Sequence, residues 1–200
     1  MSITTYSELQ TSIATWLVRD DLTAIIPDFI TLAEAKFKRD IRVREMEKRA
    51  TADAVTEYTG LPSDFLEIRS AYLNTDPKQQ LRVMALSEIR SRWLGSTAGQ
   101  PKAFAITGDE ILLAPAPDGT YEIELDYYAF SALSDSNTTN WLLTSYPDIY
   151  LWAGRLEGAS YVGNEKKIVE ANGFLATALK SLENSDWAAT FPGPLTVIAG

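Results

Sequence analysis

Residues 121–127 read Tyr121-Glu122-Ile123-Glu124-Leu125-Asp126-Tyr127. Apolar and acidic residues alternate without a break, and strand side chains alternate between faces. The spacing therefore predicts a β-strand with four apolar residues on one side and Glu122, Glu124 and Asp126 on the other. A strand of this kind belongs in an antiparallel sheet with one wet face. Upstream, Gly108-Asp109 separates the extended runs 102–107 and 110–114 and predicts a tight hairpin. Pro115, Pro117 and Asp118-Gly119 then supply a turn into the alternating strand. Further back, Thr51 to Thr59, Leu66 to Asn74 and Leu81-Arg82-Val83 read as extended, and Ser87 caps a short helix that ends at Gly95. The β region covers about residues 50–130.

Helical periodicity takes over on both sides. Thr5 and Glu8 have capping-box spacing, and Tyr6, Leu9, Ile13, Trp16 and Leu17 recur at helical intervals, which predicts a helix over about 5–19. Pro27-Asp28 opens a second helix, expected over about 27–46, with Ile30, Ala33, Phe37 and Ile41 as its apolar stripe. After a polar loop at 131–140, a helix over about 146–162 is apolar nearly all round and so must be buried. A last helix is expected over about 165–184. Residues 186–200 carry Pro192, Gly193 and Pro194 yet are apolar, and are expected to form an extended C-terminal arm. The expected fold class is α+β: mainly a helical bundle with a small antiparallel β-sheet insertion, forming one domain over 1–185 followed by the arm.

The composition excludes much chemistry. The 200 residues contain no His and no Cys, so Ser-His-Asp and Cys-His catalysis, His/Cys zinc sites and disulfides are all impossible. With 18 basic and 27 acidic residues the net charge is −9, which argues against a nucleic-acid binder with a basic footprint. The opening residues have neither a basic nor an apolar region of the secretory kind, and no apolar run approaches bilayer length, so no membrane association is expected. Phosphate-binding glycine loops and nucleophile elbows are absent too.

What remains are weak chemical candidates. Glu122, Glu124 and Asp126 could bind a cation, but one strand cannot supply converging ligands, and the plainer reading is a solvated face. The loop 135–140 has some calcium-loop flavour, yet lacks Gly at the sixth position and has Tyr146 where a bidentate Glu is required. Glu157, on the apolar helix, is the least implausible single carboxylate for a hydrolase; a helix-surface or intersubunit partner is the simpler role. The stretch from Lys36 to Arg49 holds seven of the basic residues. It reads as a solvated face with Glu34–Lys38 and Asp40–Arg44 pairs, as a contact for an acidic partner or neighbouring subunit, or as a nucleic-acid contact.

Taken in order, several stretches resemble tailed-phage head-to-tail adaptor proteins. They include Thr5-Tyr6-Ser7-Glu8-Leu9, Ile26-Pro27-Asp28-Phe29-Ile30, Arg42-Val43-Arg44-Glu45-Met46-Glu47, and Leu61-Pro62-Ser63-Asp64-Phe65-Leu66-Glu67. Further on come Gly99-Gln100-Pro101-Lys102-Ala103-Phe104, Leu112 to Gly119, Leu133 to Asn137, Asn140-Trp141-Leu142-Leu143 and Pro147-Asp148-Ile149-Tyr150-Leu151. The resemblance implies a structural virion protein, made in the host cytoplasm, with no enzymatic role, no cofactor and no metal. Its implied partners are the portal protein, tail or nozzle proteins, and itself in a dodecameric ring through which DNA passes without sequence-specific binding. At the implied portal or subunit interface we expect Arg39, Arg42 and Arg44, with Trp187, Phe191, Leu195, Val197 and Ile198 anchoring the arm. The rival from another class is a tail-associated, carboxylate-dependent peptidoglycan hydrolase.

Overall fold

The computed structural model describes residues 3–19, 21–93 and 95–190. The expectation of a mainly helical bundle with a small sheet is overturned. The chain is α+β, with six helices and two sheets of eight strands in all among the described residues; 46% is helical and 23% is strand, too much strand for an insertion of minor size. The helices are α1 (Tyr6–Leu17), α2 (Ile26–Asp40), α3 (Leu86–Trp93), α4 (Trp141–Ser145), α5 (Pro147–Val162) and α6 (Glu165–Thr190). The strands are β1 (Glu47–Ala54), β2 (Tyr58–Gly60), β3 (Phe65–Leu73), β4 (Gln79–Gln80), β5 (Arg82–Val83), β6 (Ala103–Thr107), β7 (Glu110–Ala114) and β8 (Tyr121–Ala129). They fall into two compact units, one from Met1–Glu45 with Ser131–Gly200 and one from Met46–Phe130.

The sheet unit contains two four-stranded sheets, in strand orders β1-β8-β3-β4 and β2-β7-β6-β5. All the pairings are antiparallel except β5 with β6. The alternating strand β8 lies inside the first sheet and sends Ile123, Leu125 and Tyr127 into a core shared with Phe104, Ile111 and Leu113 of the second. The second sheet is buried on its other face as well, where Ala103, Ala105, Leu112 and Ala114 meet Ile89 of α3. Burial on both faces explains why β6 and β7 are continuous apolar runs rather than alternating ones.

In the helical unit, α1 starts at a complete capping box: Thr5 Oγ1 accepts from the Glu8 amide at 3.3 Å and Glu8 Oε2 accepts from the Thr5 amide at 3.1 Å. α2 ends at Asp40, six residues before its expected end, because Ile41 is extended and a 3-10 turn covers Arg44–Met46. Ile41 and Val43 are both buried. Residues two apart point about 200° apart on a helix but to the same side of an extended chain, so burying both favours the extended form.

α5 is buried through Ile149, Tyr150, Leu151, Ala153 and Ala159, as its all-round apolar sequence requires. Gly154 and Gly158 let α1 approach it: a Cβ at Gly154 would run into Ile13, and one at Gly158 into Leu17 and Phe29. α6 continues to Thr190. Residues 186–190, expected to begin the extended arm, are thus helical, since Pro192 is the first residue that forbids a helix and Trp187, Ala188 and Ala189 tolerate one.

Candidate assembly surface

The three arginines expected on one helix face occupy three different settings. Arg39 is on the last turn of α2 and exposed. Arg42 folds back, its Nη1 donating to the Lys38 carbonyl at 2.8 Å and the Ile41 carbonyl at 2.6 Å, so its cation closes the negative end of α2. Arg44 is exposed, 3.6 Å from the Glu45 carboxylate, and its amide donates to Asp186 Oδ1 at 2.9 Å. Helix α2 stops too early for the expected Asp40–Arg44 pair to share its face.

The Arg44–Asp186 bond joins the basic segment to the last turns of α6, one residue from Trp187. Trp187 is 59% exposed. Between the two elements runs a groove lined by the apolar Ile41, Val43, Leu179 and Leu182 and by the charged Asp40, Arg42 and Glu183. Of the expected interface residues, the structure thus places Arg44 beside Asp186, the neighbour in sequence of Trp187. Phe191, Leu195, Val197 and Ile198 lie outside the described residues.

Glu34, expected on a solvated face, is buried at 4% exposure. Its Oε1 accepts from the Leu133 amide and the Tyr150 hydroxyl, both at 2.8 Å. Asn140 completes the cluster: its Nδ2 donates to Tyr150 Oη at 2.7 Å and to the Ser131 carbonyl at 2.8 Å, and its Oδ1 accepts from the Leu143 amide. Burial pushes the Glu34 carboxyl above the ordinary glutamate range, opposed by the Leu133 and Tyr150 donors and the Lys38 charge. Burial, reinforced by the nearby Glu34 charge, also pushes the Tyr150 phenol up. The signal was present in the sequence: Glu34 stands at helical spacing from Ile30 and Phe37 and so lies beside the buried stripe.

The acids on β8 do not converge. Glu122 accepts from Asn74 at 2.8 Å, Asp126 from Ser70 at 2.6 Å, and Glu124 from Lys78 at 2.7 Å with Arg49 3.8 Å away. Glu124 is only 6% exposed, so the face is not uniformly solvated as expected; β1 and β3 flank β8, and long cationic side chains close over it. Among the described residues no group of three acidic side chains is placed to hold a metal ion, and no helix is long and apolar enough to cross a membrane. Glu157 is half-buried and engaged by Lys36 rather than sitting in an apolar pocket.

Sequence reading missed an aromatic cluster on α1, α5 and α6. Trp16 meets Trp152 edge-on with centroids 5.3 Å apart, and Phe174 stacks on Trp152 at 4.5 Å. Arg155, 5% exposed, lies over both Trp rings and donates through Nη2 to Glu170 at 2.9 Å. These contacts link elements far apart in sequence, and no local spacing announces them.

The relationship to known proteins is carried by the whole chain rather than by any one cluster. The family model of the SU10 adaptor protein matches residues 4–197. The chain belongs to the SU10 adaptor protein family. The match covers both units, so the SU10 adaptor protein fold includes the sheet unit as well as the helices. Membership gives the chain a structural role as a phage adaptor, a component that interacts with other phage head and tail proteins. No curated protein matches the chain.

Proposed function

We propose that this adaptor assembles into a ring under the portal, joins capsid to tail and encloses the DNA channel, meeting tail or nozzle proteins on its far side. The observation that carries the reading is the family match along nearly the whole chain, from residue 4 to 197. The bond from the Arg44 amide to Asp186, beside an apolar groove between the end of α2 and α6, supports a composite contact face built from the basic segment and the end of α6. The arginines engage acidic patches of the portal or a neighbouring copy, and the segment from Trp187 through Phe191, Leu195, Val197 and Ile198 anchors on the same partner. The net charge of −9 suits a conduit along which DNA slides without sticking.

The test is assembly of the purified protein on its portal, read by electron microscopy and co-sedimentation. Arg39→Glu is the informative charge reversal, since Arg42 also holds the end of α2. Truncation belongs after Thr190, because residues before it are part of α6. Each variant is expected to lose portal-bound rings, and wild-type ring formation by both would overturn the assignment of the contact face.

A further inference from the structure

Charge is unevenly sorted along the sheet unit. Residues 77–102 carry Lys78, Arg82, Arg90, Arg92 and Lys102 against the single acid Glu88, whereas 103–130 hold no lysine or arginine at all. Most of these cations are answered locally. Lys78 Nζ donates to Glu124 at 2.7 Å, the Arg92 guanidinium lies 5.0 Å from the centre of the Trp93 ring, and Arg90 shares a pocket with Glu57. Arg82 and Lys102 are exposed and have no ionic partner among the described residues. They are neighbours: β5 runs beside β6, and the Arg82 amide donates to the Lys102 carbonyl at 3.0 Å. Two unanswered cations together on a chain of net charge −9 mark a surface that fits an acidic partner.

The surroundings of Arg82 are shaped as well as charged. β4 ends the first sheet and β5 the second, and the chain crosses from one to the other at buried Leu81. At this crossing an open notch of about 380 Å³ is lined by Arg69, Ser70, Gln80, Arg82 and the exposed Val83, among others. Arg69 is held by Glu47, which leaves Arg82 as the cation ready to meet a ligand there. The matching shape stands at the far end of β6. The β6–β7 hairpin turns at Gly108, whose φ of 61° suits glycine, and presents exposed Ile106, Asp109 and Glu110. Neither acid has an ionic partner among the described residues. The extended chain from Lys102 to Gly108 spans about 20 Å, so the hairpin tip and the notch of one molecule cannot meet.

We infer that the notch receives the 106–110 hairpin of a neighbouring copy of this chain, with Asp109 and Glu110 against Arg82 and Lys102 and Ile106 against Val83. A contact between two different surfaces repeats from copy to copy and closes into a ring where the rotation allows. The inference thus rests on the ring proposed above and names what joins its copies. It uses none of the residues assigned to the portal face. A nucleic-acid phosphate is the poorer occupant, because a chain of net charge −9 repels a polyanion beyond this one spot.

Assembly on the portal supplies the test. Asp109→Lys with Glu110→Lys reverses the hairpin, and Arg82→Glu with Lys102→Glu reverses the notch; all four residues are exposed. Each reversed chain alone is expected to need roughly tenfold more protein than wild type to form portal-bound rings, because every contact then opposes like charges. An equal mixture of the two is expected to form rings at the wild-type concentration, altered hairpins meeting altered notches and unaltered ones unaltered. The cysteine-free chain allows a second reading. Arg82→Cys with Asp109→Cys, treated with a short bismaleimide, is expected to give a covalent ladder past the dimer, while either single cysteine leaves monomer. Rings from either reversed chain at the wild-type concentration, a mixture no better than its components, or single-cysteine chains that cross-link as well as the pair would overturn the contact and leave the ring standing. Loss of duplex DNA retention by the notch variant with rings intact would overturn it in favour of a phosphate contact. Wild-type protein that forms no ring on its portal would remove the ring itself, and this contact with it.

Discussion

Gly154 and Gly158 stand one turn apart on α5, where any larger residue would meet α1. Alanine is the better helix former by about 1 kcal/mol, but the overlap with buried Ile13 costs about 1–3 kcal/mol, so packing decides. Gly154→Ala should lower stability by roughly 1 kcal/mol in urea denaturation, and Ile13→Val in the same chain, by removing the crowding Cδ1, should recover most of it. Glu34 sets a pH dependence at the same scale. Its folded-state value is raised, so the folded chain holds its proton where the unfolded chain has released it. Its contribution is complete below the ordinary glutamate value and is lost as pH rises through the folded one. Glu34→Gln, neutral at every pH, should flatten thermal stability across that window; a profile identical to wild type would show that Glu34 ionises freely. Asp64 works in the opposite sense. Burial raises its carboxyl, yet the Lys48 and Tyr127 hydrogen bonds outweigh burial and hold it below the usual range, so its contribution is present at neutral pH and lost on acidification.

At the scale of elements, what was readable followed local rules and what was not followed tertiary ones. The Thr5–Glu8 capping box, the Gly108-Asp109 hairpin and the alternation along β8 all appear where their spacing places them, because caps, turns and parity act within a few residues. The premature end of α2 did not show, since the burial of Ile41 and Val43 depends on partners remote in sequence. The division into two sheets did not show for a related reason: Thr51 to Thr59 reads as one extended run, and only the pairing of β1 with β8 and of Tyr58–Gly60 with β7 splits it between them. Of the candidate site, the basic segment was legible as charge, but Arg42 acting on its own helix end was not, because that role exists only once the helix stops there. α3 offers a direct check on the layered packing. Ile89 is its one fully covered residue and the plug on the outer face of the second sheet, so Ile89→Ala should cost about 2–4 kcal/mol in chemical denaturation.

For the whole molecule, charge and apolar surface separate by their response to salt. Exposed ion pairs weaken when the screening length falls to about 3 Å near 1 M salt, whereas apolar contacts persist. Association through Arg39 and Arg44 should therefore fall with rising ionic strength, while any part that survives high salt should be abolished by truncation after Thr190; portal co-sedimentation at two salt concentrations distinguishes them. If both variants bind with the salt response of wild type, the contact lies elsewhere on the adaptor.

The helical unit is assembled from two ends of the chain, with the entire sheet unit threaded between residues 45 and 131. α1 and α2 pack chiefly on α5 rather than on each other. On the ribosome, the first two helices must consequently wait while the sheet unit, continuous in sequence, is completed and free to fold. Only when α5 and α6 emerge do Asp186 and Arg44 come within reach. The contact face proposed above is thus the last part of the described molecule to be completed, and a chain shortened before α6 lacks it.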